Sequence, residues 1–367
     1  MLSTILTLVI AFFSLIALMI IHEFGHFIIA KKFGVRVDEF GIGYPPKIFG
    51  KKIGETIYSI NWLPLGAFVR IYGEEGGIDD YRSFMGLKIW KRVLIVIGGV
   101  VAFWMASIIL FTIVFGIGAN IPIGDQDVQG VANSQIKIIN VESGSPAGLA
   151  GLQEGDSLLE FKKIKDFQDF AKNHAGQQIS LKIQRDNKVF DINLTPRTNP
   201  APGQGAIGVG LERLATLINK HPWYEAPLQG VIFTWQTTAN GIIGLYSLFA
   251  NMFSGKGVPQ GAEFAGPLGI TVFLARAVDY GPGFFLYFIG VISVFVAIFN
   301  LFPIPALDGG KLIFLAIEKI MKKPVPIKIE QNITMIFFIL LISLSIFVTI
   351  RFDIPRFSEF LKSSLQR

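Results

Sequence analysis

Long apolar stretches limit the fold of this sequence more than any other feature. Four of them, at residues 2–30, 89–117, 284–301 and 333–350, are apolar enough to cross a bilayer, which takes about 20 residues as a helix. The third continues through a broken stretch to about residue 320. Lipid offers backbone groups no water, so open strands cannot cross it. The sequence therefore predicts a multi-pass α-helical membrane protein with about four transmembrane helices.

Composition agrees with a membrane protein. Hydrophobic residues make up 51% of the chain and charged residues 16%, whereas a soluble protein is about one quarter charged. Cysteine is absent, so a metal site would need His, Asp or Glu as ligands. The net charge of +6 is typical of basic loops beside a bilayer, and the absence of an aromatic-basic module excludes nucleic acid as a partner.

Basic residues predict the orientation of the helices. Lys and Arg are concentrated in residues 31–92 and again in residues 319–328, so both segments should be cytosolic. The first apolar stretch lacks a basic leader and a small-residue cleavage site, which favours a retained helix. Residues 228–253 are ambiguous because they contain Gln236, Asn240 and several glycines. A third crossing there would place residues 319–328 outside, so a surface-lying or re-entrant helix is favoured.

Two segments outside the apolar stretches should form sheets. Residues 35–72 alternate apolar and polar side chains around glycine turns, which predicts a small sheet at or in the membrane. Residues 125–205 show a mixed pattern, with a strand at 136–141, a helix at 166–174 and a hairpin of 178–185 with 188–195 around Asp186-Asn187. By the orientation above, this second segment should be an extracytoplasmic α/β domain.

The first apolar stretch carries an H-E-x-x-H motif, His22-Glu23-Phe24-Gly25-His26. Residues four apart share one helix face, so both imidazoles can bind one metal ion, and Glu23 can take a proton from a metal-bound water. A chance match is disfavoured because ionisable groups inside a membrane are costly. A proton relay or transport site is the alternative.

A zinc site needs a third protein ligand. The remaining histidines, His174 and His221, fall in the predicted extracytoplasmic region, so a carboxylate at membrane depth is required. Asp308 is the best candidate, because two prolines and two glycines around it break the helix and would line a wet cavity. A capping Asp in a kinked helix is the alternative. Asn300 could bind an oxyanion or a substrate strand, or make an interhelical hydrogen bond.

These motifs resemble the site-2 protease family, most closely the bacterial regulator of sigma-E protease branch. The matching segments are residues 22–26, 40–43, 46–49, 63–69, 266–270 and 300–310. The resemblance implies a Zn²⁺ ion held by His22, His26 and Asp308, Glu23 as general base, Asn300 in substrate binding, and a membrane loop around Gly43 and Gly66 that offers an edge strand to single-pass membrane substrates.

The same resemblance extends to the domain between the second and third helices. Residues 141–156 are similar to the PDZ domain of this branch, which implies either size exclusion of untrimmed substrates or peptide binding without a gating role. The implied substrates are anti-sigma factors or remnant signal peptides in the bacterial inner membrane. Two positions depart from the family: residues 99–103 lack the usual Pro and Asn, and Lys311 stands where His is common.

The predicted organisation has four parts. Residues 1–120 and 284–367 form two catalytic membrane halves, residues 121–205 the PDZ domain, and residues 206–283 a linker with amphipathic or re-entrant helices. Three rival functions remain open: a proton- or metal-coupled transporter, an inactive PDZ scaffold, and a zinc hydrolase acting on lipids. No inverted repeat supports the transporter, and the intact Glu23 argues against the scaffold.

Overall fold

A computed structural model of the chain describes residues 4–74, 76, 80–123, 132–185, 188–200, 205–218, 220–254 and 265–365. They form two compact units. The larger, here called the helical unit, comprises residues 1–116 and 221–366. The smaller, here called the sheet unit, comprises residues 117–220.

Helices and strands are numbered in chain order. The helices are α1 (Thr4–Lys32), α2 (Ile89–Ile117), α3 (Pro146–Leu149), α4 (Ile164–Asn173), α5 (Ala226–Phe253), α6 (Pro267–Asp279), α7 (Pro282–Asn300), α8 (Asp308–Met321), α9 (Ile327–Val348) and α10 (Ile354–Leu365), with a π-helical turn, Thr349–Asp353, before α10. The strands are β1 (Val37–Ile53), β2 (Thr56–Ile71), β3 (Ala119–Ile123), β4 (Ala132–Val141), β5 (Ser157–Leu158), β6 (Ile179–Arg185), β7 (Lys188–Leu194) and β8 (Val209–Ile218).

Four helical segments in the described part of the chain are long and apolar enough to cross a membrane: Thr4–Lys32, Ile89–Ile117, Pro282–Asn300 and Ile327–Lys362. They coincide with the four predicted stretches, which confirms the prediction of a multi-pass helical membrane protein. The predicted break in the third segment is the turn between α7 and α8.

Hydroxyl groups join α2 to α7 inside the helical unit. Ser293 Oγ donates to the carbonyl oxygen of Phe103 at 2.9 Å, and Ser107 Oγ donates to that of Gly290 at 3.1 Å. Both serines are fully buried. Such hydrogen bonds stabilise helix pairs where water is absent, and they fix the register of α2 against the helix that leads to Asp308.

The long helix α5 occupies the segment whose placement the sequence left ambiguous. The Phe233 ring lies 6.0 Å from the Tyr287 ring, and a Cβ atom at Gly241 would lie 3.0 Å from Ile298 Cδ1. Because these contacts advance together along both helices, α5 runs lengthwise beside α7 in the same direction. This packing argues against a helix lying flat on the membrane.

Strands β1 and β2 form one long antiparallel hairpin in which Val37 pairs with Ile71 and Ile53 with Thr56. The hairpin confirms the sheet predicted for residues 35–72. The hairpin packs on α1 at Gly66 of β2. A Cβ atom added at Gly66 would lie 3.3 Å from Met19 Sδ on α1, so the two elements are in close contact there. The hairpin therefore lies beside the α1 segment that carries the H-E-x-x-H motif.

The sheet unit contains an antiparallel sheet of six strands in the order β3-β8-β4-β5-β6-β7. Inward side chains such as Ile136, Ile138 and Leu181 pack against Phe167 of α4 to form its core. The predicted strand, helix and hairpin are observed as β4, α4 and the β6–β7 pair. The predicted turn residues Asp186-Asn187 lie outside the described residues.

Strand β8 extends this unit beyond the predicted boundary at residue 205. It lies between β3 and β4 and pairs with both, for example Leu214 with Gln135. The sequence assigned this segment to the linker because its pairing partners lie far earlier in the chain. Local patterning does not reveal such a strand.

Candidate metal centre

One turn of α1 brings the two motif histidines together. His22 Nε2 and His26 Nε2 lie 3.2 Å apart, and the two rings meet edge to face with centroids 4.6 Å apart. This follows from their spacing of four residues on a helix. Two lone pairs can therefore point at one position, as the motif predicts.

Asp308, the first residue of α8, completes the cluster. Its Oδ2 atom lies 3.4 Å from His22 Nε2 and 3.5 Å from His26 Nε2. Zinc bonds of about 2.0–2.1 Å in a tetrahedron place ligand atoms about 3.3–3.4 Å apart. The buried Oδ2 atom has no hydrogen-bond partner among the described residues. The three atoms thus have the spacing and the free acceptor that a zinc ion requires.

A backbone group fixes the orientation of His26. Its Nδ1 atom donates to the carbonyl oxygen of Ile95 on α2 at 2.8 Å, and the ring is buried. A histidine that donates from one nitrogen keeps the lone pair of the other for a metal. The contact therefore selects the tautomer that presents Nε2 to the cluster.

Helix α2 forms the wall of the cluster at two positions. A Cβ atom at Gly99 would lie 2.4 Å from His26 Nε2 and 2.5 Å from His22 Cε1, so only glycine leaves room for both rings. One turn later the Phe103 ring stacks on His22, with centroids 4.6 Å apart and planes at 19°. Phe103 thus holds the His22 ring from the α2 side.

Comparison with known proteins agrees with this geometry. The model of peptidase family M50 matches residues 10–344. The chain belongs to peptidase family M50. A Clostridium perfringens protein named "Putative zinc metalloprotease" is 32% identical over 91% of this chain and 95% of its own length. A similarly named Nostoc protein is 29% identical over 92% and 93%, and zinc metalloprotease RasP of Geobacillus kaustophilus is 26% identical over 93% and 96%.

These findings confirm the resemblance to the site-2 protease family and the prediction of a zinc metalloprotease. Zinc is the cofactor of this M50 peptidase. Among the described residues, the cluster able to hold it consists of His22, His26 and Asp308. The other two histidines lie elsewhere: His174 is beside Phe170 in the sheet unit, and His221 is beside Phe115.

Glycines after Asp308 determine how closely α8 approaches the preceding turn. A Cβ atom at Gly309 would lie 2.1 Å from the carbonyl oxygen of Phe302, and one at Gly310 would lie 2.3 Å from Pro305 Cα. No larger residue fits either position. The proline-glycine segment of this M50 peptidase therefore folds the chain back tightly enough to deliver Asp308 to the histidines.

The remaining predicted site residues are not part of this cluster. Glu23 is half-buried beside His22, and no ion pair holds its carboxylate among the described residues. Asn300 is the last residue of α7. In the hairpin, Gly43 has φ +76 and Gly66 has φ +138, both left-handed values that favour glycine.

Sequence reasoning missed several residues of this M50 site. Ile95, Gly99 and Phe103 lie in an ordinary apolar helix, and only the packing of α2 on α1 gives them a role. Asn61 was also missed: its Nδ2 atom donates to the carbonyl oxygens of Gly43 at 3.1 Å and Ile42 at 3.3 Å. These hydrogen bonds hold the backbone of β1 at Gly43, where φ is positive.

Proposed function

We propose that this chain is an intramembrane endopeptidase that cleaves transmembrane segments of single-pass membrane proteins. The observation that carries the proposal is the spacing of the three ligand atoms, 3.2, 3.4 and 3.5 Å, with both histidines on a helix apolar enough to cross a bilayer. In this proposal His22, His26 and Asp308 hold the zinc. The ion supplies Lewis acidity toward water and the scissile carbonyl.

Glu23 acts as the general base in this proposal. It accepts a proton from the attacking water as the water oxygen bonds to the carbonyl carbon. It then gives that proton to the amide nitrogen as the C–N bond breaks. The absence of a competing ion pair at Glu23, among the described residues, leaves its carboxylate available for both transfers.

The hairpin β1–β2 presents the substrate in an extended form. A helical substrate shields its peptide bonds and must unwind before cleavage. Strand addition to the hairpin would satisfy the exposed backbone groups. The contact of Gly66 with Met19, three residues before His22, supports this placement. Gly43 and Gly66 shape the substrate-binding edge, and Asn300 hydrogen-bonds the substrate strand.

The sheet unit acts as a PDZ domain on the extracytoplasmic side of a bacterial inner membrane. Its support is the loop at residues 142–145, where Ser145 Oγ accepts a hydrogen bond from Gly148 N at 3.1 Å at the start of α3. The basic segments 31–92 and 319–328 support the orientation. A domain of this kind would exclude substrates that still carry an outer domain and admit trimmed ones. The proposed substrates are anti-sigma factors or remnant signal peptides.

Cleavage by the purified protein tests the proposal. The chain is reconstituted in liposomes with candidate transmembrane peptides, and products are identified by mass spectrometry. We expect cleavage within the apolar segment, loss of cleavage with a zinc chelator, and recovery on adding zinc. Glu23→Gln should abolish cleavage, a loss of about 10²–10⁴-fold. Chelator-resistant products, or lipid hydrolysis without peptide cleavage, would refute the proposal.

A further inference from the structure

A groove of about 770 Å³ runs along the α1–α2 pair. Its lining includes Gly25, Gly98 and Ala102, and none of the metal-centre side chains lines it. A Cβ atom at Gly25 would lie 2.2 Å from the carbonyl oxygen of Gly98. The small residues that let α1 and α2 touch behind the histidines therefore leave a hollow on the side facing away from the metal centre.

The groove has the length and polarity needed to hold a lipid acyl chain. On α1 it extends from Ile21 to Lys32, about 16 Å at 1.5 Å per residue, and on α2 from Trp90 to Ile109, about 28 Å. It is therefore at least as long as one leaflet, which is half of a hydrocarbon core about 30 Å thick. Its rim exposes large apolar side chains, among them Phe24, Met105 and Ile109. Lys32 is the one charged residue in the lining. Hydrocarbon is therefore the natural occupant of most of its length.

Uncompensated positive charge marks one end of this groove. Lys32 ends α1, Lys88 precedes α2, and Lys91 lies in its first turn, with Nζ 5.7 Å from the centre of the Trp90 ring. Within the described part of the chain none of these three lysines forms an ion pair. Their neighbour Lys31, by contrast, is paired with Glu55.

We propose that this groove binds an anionic phospholipid, with one acyl chain in the hollow and the phosphate between Lys32 and Lys91. Basic pockets between transmembrane helices bind acidic headgroups. Trp is enriched at the membrane–water interface, where the headgroups lie. A lipid without net charge gains only the apolar part of this interaction. A peptide substrate in the groove would not reach the histidines, since they face the other side of the helix pair.

Lipid retention by the purified protein tests the site. The protein is reconstituted in nanodiscs of phosphatidylcholine and phosphatidylglycerol. It is then released from the nanodiscs, and native mass spectrometry measures which lipid stays bound to it. The double variant Lys32→Gln/Lys91→Gln should lose phosphatidylglycerol at least about fivefold relative to the original chain. Lys322→Gln/Lys323→Gln is the matched control, since it removes the same charge from exposed positions after α8. Equal losses in both variants would show general surface attraction and overturn the site.

Two further arms separate the acyl chain from the headgroup. Val101→Trp adds bulk to the exposed wall of the groove, keeps every lysine, and should also lower retention of phosphatidylglycerol. Inorganic phosphate at millimolar concentration should leave the lipid bound. Displacement by phosphate alone, or full retention in Val101→Trp, would mean that the hollow does not hold the chain.

Discussion

The guanidinium group of Arg92 donates to the carboxylate of Glu318, with Arg92 Nη1 2.9 Å from Glu318 Oε2. Arg92 lies on α2, three residues before the carbonyl of Ile95 that orients His26. Glu318 lies on α8, the helix that begins with Asp308. Their side chains are only 4% and 16% exposed. This ion pair therefore joins the helix that orients one candidate ligand to the helix that supplies another.

Replacing one partner of this ion pair should destabilise the protein more than replacing both partners. In Glu318→Leu a buried guanidinium loses its partner, and we expect the free energy of unfolding to fall by about 3 kcal/mol. The double variant Arg92→Leu/Glu318→Leu leaves no buried charge and should recover most of that loss. Unfolding in detergent measures both effects. A double variant as unstable as the single one would contradict the argument.

Gly99 provides a test of the wall between α2 and the histidines. In Gly99→Ala the new methyl group would lie 2.4 Å from His26 Nε2, so the ring must move and zinc affinity should fall at least about tenfold. Gly116→Ala on the same helix is the control, because a Cβ atom there meets no atom within 4 Å. Competition with a zinc-binding dye measures the affinity. Equal affinities would mean that the rings tolerate displacement.

Asp308 should contribute to zinc binding, whereas Glu23 should not. Asp308→Asn keeps the shape of the side chain but removes the charge that faces both histidines, so the bound zinc per chain should fall. Glu23→Gln should keep its zinc, since Glu23 acts on the water in the proposed reaction. Metal analysis of the purified variants decides this. Undiminished zinc in Asp308→Asn would point to a different third ligand.

The sequence predicted the parts of this fold that depend on local pattern. Apolar length alone identifies the four spanning helices, and the spacing of His22 and His26 fixes their common face. Asp308 could be selected because cysteine is absent and the other histidines fall in segments predicted to be extracytoplasmic. The first two constraints act on one segment at a time, and the third uses composition and predicted orientation, so none of them needs knowledge of packing.

Residues that act through packing could not be predicted. Gly99 and Phe103 matter because α2 meets α1 in one register, and an apolar helix has many equivalent registers. Arg92 and Glu318 are far apart in the chain, and nothing local pairs them. Strand β8 is similar: it joins the sheet only through non-local partners. These features require the three-dimensional arrangement because their energy arises between elements.

Acidification should weaken the hairpin at Glu39. Burial raises the pKa of this carboxyl, but the hydrogen bonds from Lys47, with Nζ 2.8 Å away, and from Ser59 outweigh it and hold the pKa below its ordinary value of 4.5. A pKa lowered by folding contributes stability above the ordinary value, and this is lost as the pH falls through the folded pKa. Protection factors in residues 37–53, which correct for the slower intrinsic exchange of amides in acid, should therefore fall below pH 4.5 in the original chain.

Glu39→Gln removes the group responsible for that acid sensitivity. Its hairpin should exchange faster than the original at neutral pH, and the difference should shrink as the pH falls. Glu160→Gln, at an exposed position of the sheet unit, is the control and should change neither rate. A difference between the two hairpins that stays constant with pH would rule out Glu39 as the titrating group.

Cysteine labelling can test the proposed orientation, because the chain has no cysteine of its own. Ser143→Cys places a single thiol on an exposed loop of the sheet unit, and Lys323→Cys places one on the exposed segment after α8. If the basic segments are cytosolic, a membrane-impermeant maleimide should label the first variant in intact cells and the second only after lysis. The reverse pattern would invert the topology. It would also place the sheet unit on the side where untrimmed extracytoplasmic substrates never arrive, which would remove its proposed role in excluding them.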